Sequence, residues 1–202
     1  MAVDKVYISA QQLLEDSLEL GRQILASGFR PNFIVGVWRG GTPVGITVQE
    51  LLDFYGVETD HISIRTSSYS GLDARREGKV RVHGIGYLEQ QMNAEDSLLI
   101  VDDVFDTGLS VKGIIDKLRR RCRKNLPRDL RVATAYFKPG KNRTDFEPDF
   151  HVHRTDDWLV FPHEMDGLTL EEMRAHKPHL ARVVDSLEGV ATPVKLGRRR
   201  RR

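Results

Sequence analysis

A single cysteine, Cys122, among 202 residues excludes an intrachain disulfide and any cysteine-based metal site. No apolar stretch approaches the ~18 residues of a membrane span, so no membrane partner is expected. The opening residues, MAVDKVYISAQQ, lack the basic and apolar regions of a secretion signal, which predicts a cytoplasmic setting. No internal repeat is visible. A broad basic surface is lacking as well. Residues 198–202 are all arginine, and without those five the body holds 26 Lys+Arg against 29 Asp+Glu, a net charge of −3. Nucleic-acid contacts are therefore expected only through the arginine tail.

Hydrophobic residues at 40% and charged residues at 30% describe an ordinary globular chain, long enough for one sizeable core. Leu13, Leu14, Leu18 and Ile24 recur at helical spacing after a capping Ser9. Phe33 to Val37 reads as a buried strand, Trp38-Arg39-Gly40-Gly41 as the loop after it, and Thr42-Pro43 as the cap and first position of a helix reaching about Tyr55. Strands are expected at His61–Ile64, at Val80–Val82, at Leu98–Val101, at Arg131–Phe137 and at Trp158–Phe161. Residues 66–79 are polar and aperiodic and read as a long loop. A helix is expected from Ser110 to about Cys122, and a last helical region from Thr169 to Leu187 is interrupted at Pro178. Strands alternating with helices predict an α/β, doubly wound, mostly parallel sheet flanked by helices, with ligands at the carboxyl ends of the strands. One domain is expected over residues 1–189, followed by a disordered basic tail over 190–202.

The most informative stretch is LLIVDDVFDTGLS, residues 98–110. Its apolar run reads as a buried parallel strand with Asp102, Asp103 and Asp106 gathered at its end. Glycine at 108 permits a tight turn, and the helix beginning after it directs free N–H groups back at the loop, as phosphate sites do. Thr107 and Ser110 add hydroxyl donors. Adjacent Asp102 and Asp103 suit ribose hydroxyls or Mg²⁺, both of which favour hard carboxylate oxygens. Amides for a phosphate beside carboxylates for a sugar describe a ribose phosphate site.

VDDVFDTGLS resembles the ribose-phosphate signature of the type I phosphoribosyltransferases, purine branch, which use 5-phosphoribosyl-1-pyrophosphate (PRPP) and Mg²⁺. The motifs that match lie between about residues 30 and 165. The resemblance implies a 5′-phosphate loop of Asp106, Thr107, Gly108, Leu109 and Ser110, and ribose and metal contacts from Asp102 and Asp103. It implies a pyrophosphate loop of Arg39, Gly40 and Gly41, with a cis peptide between Arg39 and Gly40. Ser68-Tyr69 resembles the pair that closes over PRPP, and Arg75, Arg76 and Lys79 in the same loop suit pyrophosphate. Lys138 matches the lysine set against the purine O6. Trp158, which opens WLVFPHE, matches the aromatic that stacks on the base, with Leu159 reading the 2-position through its backbone. Glu164 falls where the family more often has an aspartate near a second Mg²⁺. Asp106 is the catalytic candidate, exchanging a proton with the purine N7. The resemblance also implies a small hood built from the terminal segments, and a homodimer or homotetramer.

The expected function is transfer of the phosphoribosyl group from PRPP to hypoxanthine, guanine or xanthine. Two alternatives stay open: a phosphoribosyltransferase for another base, and a PRPP-sensing, nucleic-acid-binding regulator of the same fold. His151 and His153, two apart on a possible strand, share a side but have no cysteine partner for zinc.

Overall fold

The computed structural model describes residues 5–68 and 80–192, Ser68 through its backbone alone. Tyr69, Arg75, Arg76, Lys79 and the arginine tail lie outside the described residues. In chain order the elements begin with β1 (Lys5–Tyr7), α1 (Ala10–Ala26), β2 (Phe33–Trp38), α2 (Gly41–Phe54), β3 (Asp60–Ser68) and β4 (Val80–His83). They continue with α3 (Gly86–Gln91), β5 (Ser97–Phe105), α4 (Leu109–Cys122), β6 (Asp129–Phe137) and β7 (Phe150–Arg154). The last are β8 (Trp158–Val160), α5 (Leu170–His176) and α6 (Pro178–Ser186). Gln11–Asp157 form one compact unit, and the described terminal segments, up to Ala10 and from Trp158, form another.

The larger unit is built on a six-stranded sheet in the order β4-β3-β2-β5-β6-β7. Only the β3–β4 pairing is antiparallel. Its central strands are apolar without alternation because both faces are covered. In β2 and β5, Val35, Val37, Leu98 and Ile100 pack with Val111, Ile114 and Leu118 of α4. Gly36 and Val101 lie on the other face under α2, where a Cβ on Gly45 would sit 3.7 Å from Gly36 Cα and 3.9 Å from Val101 Cβ. The expected doubly wound sheet is thus present, and α4 turns Val111, Ile114 and Leu118 toward its core.

Five local expectations need correction. Residues 66–68, expected in the long loop, belong to β3 and pair with β4. Leu14 and Leu18 are exposed. The buried stripe of α1 runs through Leu13, Ser17, Leu20 and Ile24, the i+3/i+4 set that faces the sheet, and leaves the two leucines one position round the helix. It also buries Asp16, whose carboxylate accepts from Tyr136 Oη at 2.9 Å and lies 2.7 Å from His153 Nε2. α2 starts at Gly41 with Gly40 as its cap, so Thr42 does not cap it, and the Thr42 hydroxyl is buried without a partner. β5 does not stop at Val101 but runs on to Phe105, with Asp102 in register with Thr134. The short α3 falls between expected strands; its six residues are too few to show a helical period.

In the smaller unit β1 pairs in parallel with β8. Val160, Leu168, Met173 and Ala181 form its core, with Tyr7 and Val184 packed against them. A capping box starts α5: Thr169 Oγ1 accepts from Glu172 N at 3.1 Å, and Glu172 Oε2 accepts from Thr169 N at 2.8 Å.

Candidate active site

The parallel pairing of β2 with β5 sets the site. Gly36 is in register with Val101, so the chain leaving β2 at Trp38 passes over the carboxyl half of β5. The contact is close. A Cβ on Gly40 would lie 1.9 Å from Asp103 Oδ2, and one on Gly41 would lie 2.4 Å from Val101 O and 2.8 Å from Asp102 Cα. Gly40 has φ −67° and ψ −32°, which any residue adopts, so glycine is required there for space. The non-proline cis peptide lies between Trp38 and Arg39, one bond earlier than the expected Arg39–Gly40. Isomer choice at such a bond follows from tertiary contacts around the loop, which a resemblance in residue order does not locate.

The two adjacent aspartates sit inside the strand rather than beyond it. Asp102 Oδ1 accepts from Asp103 N at 3.0 Å, and Asp103 Oδ1 accepts from Val104 N at 2.9 Å. Enclosure by the protein, and then the charge of Asp103, hold the Asp102 carboxyl well above the usual carboxylate range. Paired acids in a low-dielectric site favour a hard cation or hydroxyl donors that relieve the repulsion.

Past Phe105 the chain turns through Asp106, Thr107 and Gly108. Gly108 has φ +72°, and a Cβ there would lie 2.6 Å from the Phe105 ring and 2.8 Å from Thr144 Cγ2, so conformation and space both demand glycine. The first intrahelical bond of α4 runs from Lys112 N to Gly108 O at 2.9 Å, so the N–H groups of Leu109, Ser110 and Val111 have no intrahelical acceptor. No side chain caps this end strongly and no acid occupies its first turn. Thr107 Oγ1 lies at 3.5 Å from Leu109 N, at the limit of a bond. The helix therefore presents three N–H groups and its positive end to the loop.

Lys138 follows β6, the strand beside β5, and its N–H donates to Phe105 O at 2.9 Å. Its side chain is buried. Two supports of this loop were missed in the sequence. Gly140 N donates to Asp156 Oδ1 at 2.9 Å, and Arg143 N donates to Thr107 O at 3.0 Å, so the loop after β6 braces the 106–110 turn. Neither has a local sequence signal, because both bonds join segments distant in the chain.

The larger unit thus gathers Arg39, Gly40, Gly41, Asp102, Asp103, the 106–110 turn and Lys138. Trp158, Leu159 and Glu164 belong to the smaller unit. Trp158 is 41% exposed and Leu159 is buried. Glu164 closes its own turn: its N–H donates to Phe161 O at 3.0 Å, and its Oε2 accepts from Phe161 N at 3.3 Å. His153 is engaged with Asp16, and among the described residues no three His, Cys, Asp or Glu side chains gather as a metal site.

Residues 8–167 match the family model of the phosphoribosyl transferase domain. The chain belongs to that family. It is similar to the hypoxanthine-guanine phosphoribosyltransferase of Bacillus subtilis (strain 168), 27% identical over 166 residues that cover 81% of this chain and 86% of the relative. Among solved structures it is similar to a purine phosphoribosyltransferase from Pyrococcus horikoshii Ot3, with 25% identity, a TM-score of 0.61, and coverage of 81% of this chain and 96% of that one. A hypothetical protein from Neisseria gonorrhoeae with bound ppGpp superposes with a TM-score of 0.69 over 91% of this chain and 99% of that one. At 13% identity that likeness is one of fold. Family membership rests on most of the chain, and the motif-bearing strands lie inside the matched range.

Proposed function

We propose that the chain transfers the phosphoribosyl group of PRPP to a 6-oxopurine (hypoxanthine, guanine or xanthine), forming the purine nucleoside monophosphate and pyrophosphate. The observation that carries this reading is the seating of Gly40 on Asp103. It brings a loop suited to a diphosphate against paired carboxylates, one strand away from Lys138.

In this reading the N–H groups of Leu109, Ser110 and Val111, with the hydroxyls of Thr107 and Ser110, hold the 5′-phosphate. Asp102 and Asp103 accept from the ribose hydroxyls. Arg39 and the backbone of Gly40 and Gly41 bind the pyrophosphate, with Ser68 and Tyr69 closing over it. Lys138 donates to the base O6, Trp158 stacks on the ring and the backbone of Leu159 reads the 2-position. The bond from the anomeric carbon to pyrophosphate oxygen breaks as the bond to the base nitrogen forms, through an oxocarbenium-like transition state. Asp106 takes up or returns the proton at N7. The donor set also fits Mg²⁺: Asp102 and Asp103 are adjacent hard ligands whose repulsion a cation relieves. Bound there with PRPP, Mg²⁺ would offset the charge of the departing pyrophosphate. Glu164 is assigned a water-mediated part at most, since its carboxylate accepts from Phe161 N.

Self-association into a homodimer or homotetramer is part of the same proposal. It is supported by exposed apolar side chains on and just after α2, with Ile46 at 57%, Phe54 at 82% and Tyr55 at 65%. A cytoplasmic setting completes it; no described helix is long and apolar enough to cross a membrane. The test is pyrophosphate release with PRPP, Mg²⁺ and each of hypoxanthine, guanine, xanthine, adenine and uracil. Release with one or more of the first three supports the reading. Release only with adenine or uracil transfers the chain to another base, and no release with any base overturns the enzyme assignment.

A further inference from the structure

Lys177 is 4% exposed, yet its ammonium is no casual burial. It lies at the junction of α5 and α6, as the last cap of one and the first of the other. From there its Nζ donates to the carbonyl oxygens of Phe161, of Pro162 at 3.3 Å and of Glu164 at 2.7 Å. An ammonium has three N–H donors and no acceptor, so these three carbonyls use all of its capacity. No donor is left for a ligand. Lys177 therefore acts through the turn and not on a substrate.

The turn needs such a partner. Three carbonyl dipoles that converge on one point repel one another unless a cation stands there. Without Lys177 the Pro162 and Glu164 carbonyls would lose this donor and the Phe161 carbonyl would be left with the Glu164 N–H, so the turn would open to let water in. Both backbone groups of Phe161 are already committed. Its N–H donates to Glu164 Oε2 at 3.3 Å, and its carbonyl accepts from Glu164 N at 3.0 Å as well as from Lys177. The charge of Glu164 supports the ammonium from the same turn, against the burial that pushes the Lys177 pKa down. Phe161 directly follows β8, which is paired with β1 through the register Lys5↔Trp158, Val6↔Leu159 and Tyr7↔Val160. Strand pairing sets the path of β8, and the clasp sets where that path ends.

We propose that Lys177 is a positioning residue for the base: by clasping Phe161, Pro162 and Glu164 it fixes β8, and hence the Trp158 ring and the Leu159 backbone, against which a purine is placed. The inference rests on the purine reading for its ligand and on the three Nζ bonds for its geometry. Displacing a binding strand by about an ångström is enough to cost two orders of magnitude in a positioned reaction. Because the phosphate turn belongs to another part of the chain, the loss should fall on the base and spare PRPP.

The test compares Lys177→Met with Glu172→Gln, which removes the Lys5 ion pair from the same unit and serves as a control for general loosening. Steady-state kinetics with PRPP and the preferred base should show Lys177→Met raising the KM for base at least tenfold, with the KM for PRPP within twofold. Amide exchange at Glu164, whose N–H is bonded within the turn, should accelerate in Lys177→Met and stay unchanged in Glu172→Gln. If Lys177→Met does not fold, Lys177→Gln, which keeps two donors without the charge, should show the same split on a smaller scale. Equal rises in both KM values, or an equal rise for base in Glu172→Gln, would overturn the proposal in favour of a merely structural lysine. A wild type that releases no pyrophosphate with any base overturns the purine reading and the positioning role with it. Wild-type turnover with an unchanged base KM in Lys177→Met overturns the clasp alone.

Discussion

The carboxylate of Asp103 stands where a side chain on Gly40 would be, with Oδ2 at 1.9 Å and Cγ at 2.2 Å from that Cβ position. The backbone of Gly40 is in the ordinary right-handed region, so a substitution meets a steric conflict and no conformational one. Gly40→Ala should force the buried Asp103 to move, at a cost of ~1–3 kcal/mol in stability. The KM for PRPP should rise at least tenfold while that for base changes little. Asp103→Ala removes all three atoms in conflict, so the double variant Gly40→Ala/Asp103→Ala should recover thermal stability but not PRPP affinity. A Gly40→Ala protein with wild-type melting temperature and PRPP KM would show that this contact is not maintained in solution.

The three aspartates of residues 102–106 should separate by role. Asp102 and Asp103 lie in β5 and accept backbone N–H groups there, so Asp102→Asn and Asp103→Asn should mainly weaken PRPP binding. Asp106 lies in the turn beyond the strand. Asp106→Asn keeps the size of the side chain but cannot take up a proton, and general acid–base catalysis typically contributes about 10²–10⁴-fold. Single-turnover rates should therefore fall by that order with PRPP affinity altered only a few-fold. The assignment fails if Asp106→Asn retains its chemical step and either strand variant loses it.

What the sequence made legible follows the reach of each signal. The strand-turn-helix at 98–122 was readable because its apolar run, its glycine and its helical period are all local. The end of β5 was not, because Asp102 and Asp103 are poor strand residues on propensity and stay in the ladder through pairing with β6. Thr42 looks like a helix cap on residue type. Gly40 displaces it because only a side-chain-free residue fits against Asp103, a tertiary constraint. Lys177 was invisible for the same reason: its acceptors lie 13 to 16 residues away, and only the proline after it left a trace in the sequence. The buried Asp16 was hidden by the polar spacing of α1, since its partners, Tyr136 and His153, come from strands more than a hundred residues later.

Glu172 should make the smaller unit sensitive to acid. Burial pushes its carboxyl up, but the bond from Lys5 Nζ at 2.5 Å, the Thr169 N–H and the Lys5 charge outweigh it, leaving the pKa below the ordinary 4.5. The folded state then binds fewer protons than the unfolded state in the interval beneath that value. The resulting stabilisation is present above about pH 4.5 and is lost as the pH falls through the folded pKa. Amide exchange at Met173 and Lys177, whose N–H groups bond to Thr169 O and Met173 O, should accelerate across that interval in the full chain. Glu172→Gln keeps an acceptor for the capping box but has no titrating charge, so its exchange rates should follow only the intrinsic pH dependence. Parallel profiles for the two proteins would place the acid sensitivity elsewhere.

Gly108 carries a heavy local demand in the 106–110 turn, and its substitution should separate phosphate binding from base recognition. A Cβ there would meet the Phe105 ring at 2.6 Å and Thr144 Cγ2 at 2.8 Å, at φ +72°. The left-handed conformation alone costs a non-glycine residue roughly 1–2 kcal/mol. Phe105 cannot yield readily, because its ring packs edge-on to Phe137 and Phe146, with centroids 5.7 and 5.6 Å away. In Gly108→Ala the turn itself must therefore move, carrying the N–H groups of Leu109 and Ser110 off the phosphate. A charge-assisted hydrogen bond is worth ~1.5–3 kcal/mol, so losing one should raise the KM for PRPP by about ten- to a hundredfold. Base binding through Lys138 should change much less, because its N–H is anchored on Phe105 O rather than on the turn. The decisive comparison is titration of the variant with ribose 5-phosphate and with inorganic pyrophosphate. Loss of the first ligand alone places the 5′-phosphate at this helix start. Loss of pyrophosphate alone would exchange the roles of the 106–110 turn and the Arg39–Gly41 loop.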